Sequence, residues 1–218
     1  MTFQLLMSAM LKGSLTVIEL FFLVLIFAIP LGMMITFLVK CRFKPIKYLF
    51  EAYIYIFRGT PLLLQLFIVW TGLPMIPGIG QYLVFESRFA AACVTFILNY
   101  AAYFAEIFRG GLLAVDKGQY EAARVLGFNR VQTFFHIIFP QMFRVCLPSL
   151  TNETITLVKD TSLAHVLGVT ELLYRTQNLV NTYAQPLPTY LSCIIIYLIM
   201  TTVVTFVMKK LEQKYSFQ

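Results

Sequence analysis

Charge is scarce in these 218 residues. Asp, Glu, Lys and Arg make up 12% against 59% hydrophobic residues, and the mean hydropathy is +0.78. So little charge cannot solvate the surface of an ordinary soluble domain, which leaves a polytopic membrane protein as the class. No apolar run alternates with the period of two that a barrel strand needs, so the spans are expected to be helices. Histidine occurs only at His136 and His165, far apart, and both are expected on helix surfaces or in packing. Cys41, Cys93, Cys146 and Cys193 are scattered without metal-site spacing and are expected to be small buried residues. The sequence lacks a G-x-x-x-x-G-K-[ST] phosphate loop, a G-x-S-x-G elbow and an H-E-x-x-H pair. Hydrolase chemistry, metal binding and nucleotide binding by this chain are therefore not expected. No basic region precedes the first apolar run, so no cleavable signal peptide is expected and the first span should stay in place.

What is present is a series of apolar runs separated by basic loops. Five spans are expected, at about residues 15–39, 53–73, 89–108, 150–167 and 190–208, following a mildly amphipathic lead over 1–14 that lies along the membrane surface. The net charge of +7 would suit nucleic acid in a soluble protein, but here the positions explain it. Lys40, Arg42, Lys44 and Lys47 follow the first span. Lys117, Arg124, Arg130 and Arg144 follow the third, and Lys209, Lys210 and Lys214 follow the fifth. By the positive-inside tendency these loops are cytoplasmic, which puts the N-terminus outside and the C-terminus inside. Residues 73–87 and 169–188 become outside segments, and Gly168 a helix end.

Several polar groups interrupt the runs. Thr16 and Glu19 have capping-box spacing at the start of the first span, with a substrate role for Glu19 as the alternative. Thr60 and Pro61 read as an N-cap followed by a first-turn proline, so the second span should be kinked or broken, and broken backbone survives only beside protein or a water-filled cavity. Arg58 either snorkels to the cytoplasm or joins an internal ion pair. Glu106 is placed to pair with Arg109 three residues on. In the fourth span, Asn152, Glu153, Thr156, Lys159 and Asp160 fall at steps of three and four on or beside one helical face. They line an aqueous pathway, or Lys159 and Asp160 pair to hold helices together.

Residues 119–140, QYEAARVLGFNRVQTFFHIIFP, are polar and lie between spans. A short helix capped by Asp116 should stop at Gly127, and a second should begin at the Asn129/Gln132 capping pair. Val131, Phe134, Phe135 and Ile138 then follow i, i+3, i+4 and i+7. Such a hairpin either docks a soluble partner or rests on the membrane.

Within this stretch, Glu121-Ala122-Ala123, Gly127, Ile137 and Phe139-Pro140 resemble the EAA loop of permease subunits of ATP-binding cassette importers, in which E-A-A is followed by G and later by I-x-L-P. Phe139 stands where that family usually has leucine. Arg58-Gly59-Thr60-Pro61-Leu62-Leu63, Asn152-Glu153 and Lys159-Asp160-Thr161-Ser162-Leu163 narrow the resemblance to the polar amino acid permeases, the group that includes histidine, arginine, glutamine and cystine transporters. It covers about residues 13–211.

The resemblance implies a non-catalytic, multi-pass permease of a bacterial plasma membrane, working with a second copy or a paralogue. Its implied partners are two ATPases that use ATP, an extracytoplasmic amino acid binding protein and membrane lipid, without nucleic acid. The hairpin would be the coupling helix. Tyr120, Ala123 and Leu126 would supply contacts to an ATPase groove, Glu121 and Arg124 a charged rim, Ala122 and Ala123 close approach, and Gly127 the turn. For the substrate, Glu153 and Asp160 would take an ammonium or cationic group, favouring a basic amino acid. Thr156 and Asn99 would line the path, and Lys159 would answer a carboxylate. An ion-coupled secondary transporter or channel subunit, or a purely structural membrane subunit, is the alternative.

Overall fold

The structure is a computed structural model that describes residues 2–215, and every regular element among them is helical. Thr2 caps α1 (Phe3–Val39) by accepting the Leu5 N–H at 3.4 Å. The helix then runs unbroken through the segment expected to be a surface lead. Leu6 and Met10 are buried there with Val17, Leu172 and Cys193, so a second helix covers this end and turns it into core. The Thr16/Glu19 capping reading is corrected by the same continuity. Both residues are mid-helix, Thr16 donates back to the Lys12 carbonyl at 3.5 Å, and Glu19 is exposed.

The second span is broken, as the Thr60-Pro61 pair requires. Helix α2 (Lys44–Gly59) ends at Thr60, and α3 (Leu62–Phe67) starts after Pro61, with an angle of 111° between the two arms. A π turn (Ile68–Gly72) and a 3-10 turn (Leu73–Met75) continue the second arm. Thr60 does not cap α3. Its hydroxyl donates to the Ile56 carbonyl at 2.8 Å, closing off α2 instead.

Helix α4 (Arg88–Ala114) starts at Ser87, which accepts the Ala90 N–H, and forms the centre of the bundle. Phe96, Tyr100, Phe104 and Phe108, four residues apart, make a buried aromatic stripe along it. On another face, Ala101 and Ala105 let α1 come close. A side chain at Gly32 would collide with the Ala101 carbonyl and Phe104, and Thr36 donates across to the Ala105 carbonyl at 3.0 Å. Small residues and interhelical hydrogen bonds are the means by which helices associate where lipid removes the hydrophobic driving force.

Helix α5 (Lys117–Val125) and a short turn lead to α6 (Arg130–Gln132), a π segment (Thr133–Ile138) and α7 (Phe139–Asp160). The second arm of the hairpin is thus the start of the fourth long helix, because nothing between Gln132 and Phe139 breaks the backbone. Its π segment also turns the expected apolar face: Ile138 is buried while Val131 and Phe135 are 65% and 60% exposed. Beyond Asp160 the chain tightens into a 3-10 turn (Thr161–Leu167) and leaves it at Gly168 with φ +80°.

The expected outside segment at 169–188 holds another helix, α8 (Leu172–Tyr183). Buried Glu171 starts it, accepting the Leu173 and Tyr174 N–H groups at 2.7 Å and the Tyr197 hydroxyl at 3.0 Å. Helix α9 (Pro186–Tyr215) presents Ile194, Ile195, Leu198, Ile199, Val203 and Phe206 outward, an apolar flank suited to lipid. Helices α1, α4 and α9 are long and apolar enough to cross a membrane, and the bent α2/α3 pair makes a fourth span if taken as one. Cys93, Cys146 and Cys193 are buried as expected, but Cys41 is exposed in the turn after α1.

Candidate functional site

The break in the second span opens on a cavity of about 340 Å³ lined by Thr60, Pro61, Leu62, Asn99, Tyr100, Tyr103, Glu153, Thr156 and Asp160. Three elements build it: the α2/α3 corner, one face of α4 and one face of α7. Glu153, Thr156 and Asp160 are three and four residues apart, so each turn of α7 delivers one polar group to the same side. Asp160 accepts the Tyr100 hydroxyl at 2.8 Å, which ties α7 to α4.

Four of the five expected pathway residues therefore meet in one place. Lys159 does not: it is exposed on a neighbouring face and makes no ion pair with Asp160 among the described residues, so the Lys159/Asp160 clamp is not formed. A step of one residue around a helix turns the side chain by about 100°, enough to take Lys159 off the face that carries Asp160. Asn152 is likewise exposed. Tyr100 and Tyr103 were not among the expected site residues. Tyr100 belongs to the buried aromatic stripe of α4 and Tyr103 lies off it, so neither reads as a site residue until α7 is placed opposite.

Gln65 is the other residue that sequence reasoning missed. It is buried, and its amide donates to the Phe57 carbonyl at 2.9 Å, the Thr60 carbonyl at 3.1 Å and the Thr60 hydroxyl at 2.8 Å. Its oxygen accepts the Asn99 amide at 2.9 Å, and Asn99 also donates to Phe57 at 3.2 Å. Carbonyls at the end of a helix have no intrahelical partner, and these two amides satisfy those at the corner. Asn99 thus serves the shape of the cavity as well as its lining. Nearby, Arg58 stands 3.8 Å from Glu106 and over the Tyr103 ring, while Arg109 binds the same carboxylate with its Nε at 2.8 Å. Glu106 pairs with Arg109 as its spacing predicts, and Arg58, itself exposed, stands within ion-pair distance of the same carboxylate.

At one end of the bundle stands the hairpin. Asp116 caps α5 by accepting the Gly118 N–H at 2.7 Å, and the Asn129/Gln132 capping box closes in both directions at 2.9 and 3.0 Å. Gly127 makes the turn at φ +78° with open space around it. Glu121, Ala122, Arg124, Val125 and Leu126 are exposed, Val125 at 88% and Leu126 at 71%. Ala123, expected to face a partner, is fully buried within this chain, and Tyr120 is half-buried against the core. The four-residue step from Ala122 to Leu126 keeps those two outside, while Ala123 turns inward and lets α5 lie close to the second arm.

An apolar helical bundle with a polar cavity at a helix break and an exposed helical hairpin defines a membrane transport subunit. Residues 5–217 match the family described as "Binding-protein-dependent transport system inner membrane component". The chain is 37% identical over 174 residues to the L-cystine transport system permease protein TcyB of Bacillus subtilis (strain 168), covering 79% of this chain and 72% of that one. It is 34% identical over 219 residues to the arginine ABC transporter permease protein ArtM of Haemophilus influenzae, covering 97% and 94%. A solved structure titled "Crystal structure of an amino acid ABC transporter with histidines" matches with a TM-score of 0.84 at 30% identity, covering 95% and 94% of the two chains. An inward-facing form of the MetNI methionine ABC transporter shares the fold, with a TM-score of 0.75 at 16% identity over 100% of both chains.

The chain belongs to the binding-protein-dependent transport system inner membrane components and is a permease subunit of an ATP-binding cassette importer. It is not itself an enzyme, since ATP hydrolysis resides in separate subunits of such importers.

Proposed function

We propose that this permease carries a polar amino acid, with preference for a basic one, through the cavity at the α2/α3 corner. The observation that carries this reading is the lining: Glu153 and Asp160 contribute carboxylates, and no Lys or Arg is among the described residues that line the cavity. An ammonium or guanidinium group entering there meets negative charge in a setting of low dielectric, where the attraction is strong. With Lys159 off the cavity, the substrate's carboxylate is met by the hydroxyls of Thr156 and Tyr103. The cystine and arginine relatives and the amino acid transporter structure support the substrate class.

The membrane arrangement we propose is five spans with the N-terminus outside and the C-terminus in the cytoplasm of a bacterial cell. Helix α7 supplies the fourth of these spans. Two permease subunits, identical or paralogous, work with two ATPases and an extracytoplasmic binding protein. The α5 hairpin seats in an ATPase groove through Ala122, Val125 and Leu126, rimmed by Glu121 and Arg124. Closure of the ATPases on ATP draws the paired hairpins together, and the continuous helix from Arg130 to Asp160 carries that motion to the cavity. Coupling requires the hairpin to bind its groove with different free energy in the inward and outward states.

Uptake of radiolabelled arginine into proteoliposomes holding the assembled transporter tests both parts. Glu121→Ala and Gly127→Val should each lower uptake and transport-linked ATP hydrolysis with membrane insertion intact; normal uptake in both would sink the coupling assignment. Glu153→Gln should raise the KM for arginine more than that for glutamine. Unchanged uptake of both would remove Glu153 from the site.

A further inference from the structure

A second, larger cavity of about 660 Å³ lies at the end of the bundle where α1 hands over to α2. It is lined by Val39, Lys40, Cys41, Arg42, Lys44, Lys47, Glu51, Arg109 and Leu113. Five of these residues are cations and one is an anion. Glu51 is spoken for by Lys47 at 3.7 Å, and Arg109 by Glu106, which leaves Lys40, Arg42 and Lys44 without an ion pair among the described residues. Like charges gathered this closely repel. Lys40, just beyond the first span, has its ammonium pushed below the usual lysine range by burial and by the Arg109 guanidinium.

The fold forces this gathering. Helix α1 stops at Val39, a four-residue turn follows, and α2 begins at Lys44, so the turn cannot spread its charges apart. Phe43 provides no side-chain cap and the first turn of α2 has no acidic residue, so the positive end of that helix adds to the same field. Next in sequence to these cations, Phe43 and Tyr48 are each 59% exposed. Exposed aromatic side chains next to a basic hollow at the end of a membrane-length helix suit the level of lipid headgroups.

We propose that this cavity binds the phosphate of an anionic phospholipid, with Lys40, Arg42 and Lys44 as its ligands and Phe43 and Tyr48 against the lipid. A soluble phosphate would use the three cations alone and would gain nothing from the exposed Phe43 and Tyr48 beside them. Bound lipid would neutralise the cluster and brace the α1–α2 turn against α4.

The test is lipid retention, which does not depend on the substrate reading. The assembled transporter is purified from membranes containing phosphatidylglycerol and phosphatidylethanolamine, stripped with detergent, and assayed by mass spectrometry for lipid that stays bound. The Lys40→Gln/Arg42→Gln/Lys44→Gln variant should retain about tenfold less phosphatidylglycerol. The charge-keeping Lys40→Arg/Arg42→Lys/Lys44→Arg variant should retain it as wild type does, which separates lost binding from misfolding. Lys209→Gln/Lys210→Gln, removing charge near the end of α9, should change nothing. Equal loss in that control would reduce the effect to general attraction and overturn the site. So would retention unchanged in the first variant, and displacement of the lipid by millimolar inorganic phosphate would reassign the cavity to a free anion.

Discussion

The Tyr100 hydroxyl donates to Asp160 Oδ2 at 2.8 Å across the gap between α4 and α7. That bond orients a carboxylate at the edge of the cavity beside the α2/α3 corner and occupies one of its lone pairs. Tyr100→Phe keeps the ring, which stacks on Phe96, and removes only the hydroxyl. The loss of a hydrogen bond to a charged group costs about 1.5 to 3 kcal/mol where that bond is needed, roughly ten- to a hundredfold. We expect the KM for a basic amino acid to rise by about tenfold with expression unchanged, read from initial rates of uptake. A KM equal to wild type would show that Asp160 needs no orientation by Tyr100.

Gln65 and Asn99 hold the helix corner as a pair. Gln65→Leu removes the donor to the Thr60 carbonyl and one acceptor of the Asn99 Nδ2 group, which keeps the Phe57 carbonyl. Leaving buried polar groups unmatched costs about 1 to 3 kcal/mol. Thermal unfolding in detergent should show a lower midpoint for Gln65→Leu and for Asn99→Leu. The double variant should fall short of the sum, because the two share one network. Strict additivity would mean that the clasp does not act as a unit.

Gly110 and Gly111 are neighbours with opposite surroundings. A side chain at Gly111 would collide with Cys146 Sγ and Met142 on α7, whereas one at Gly110 meets nothing within 4 Å. Gly111→Ala should destabilise the protein by about 1 to 3 kcal/mol through overpacking. Gly110→Ala should be neutral or slightly stabilising, since alanine favours a helix over glycine. Comparing the two melting midpoints checks the α4–α7 contact directly, and similar values would place α7 elsewhere.

Glu171 starts α8 from a fully buried position, with two backbone donors and the Tyr197 hydroxyl as partners. Removing such a cap costs about 0.5 to 2 kcal/mol, and three orphaned donors put this site at the upper end. Glu171→Ala should therefore lower the melting midpoint more than Glu171→Gln, which keeps one acceptor. Limited proteolysis should then cut between Leu172 and Tyr183 in the alanine variant first. Protection equal to wild type would show that α8 is held by packing alone.

How far the sequence could be read depended on the distance between interacting residues. The Asn129/Gln132 box, the Glu106–Arg109 pair and the Gly127 turn each involve residues within one or two turns, and all three stand as expected. The face of Glu153, Thr156 and Asp160 was legible because helical period is local. Misreadings arose where a residue's role depends on a distant element. Thr16 and Glu19 have the spacing of a cap, yet α1 begins thirteen residues earlier because α8 buries its first turns. Thr60 precedes a proline as a cap would, yet its hydroxyl turns back to α2 and Gln65 takes over the corner. Ala123 belongs to an exposed-looking motif, yet the second arm covers it.

From composition and period alone followed the membrane setting, the helical class, the break at Thr60-Pro61 and the hairpin, because apolar length, proline and glycine act on the backbone where they stand. Only the tertiary structure decided which polar groups share a cavity. Glu153 and Asp160 joined Tyr100 and Tyr103, Lys159 was left outside, and Lys40, Arg42 and Lys44 met Arg109. Their side chains come together through helix packing, and no local spacing encodes which face of one helix another will cover.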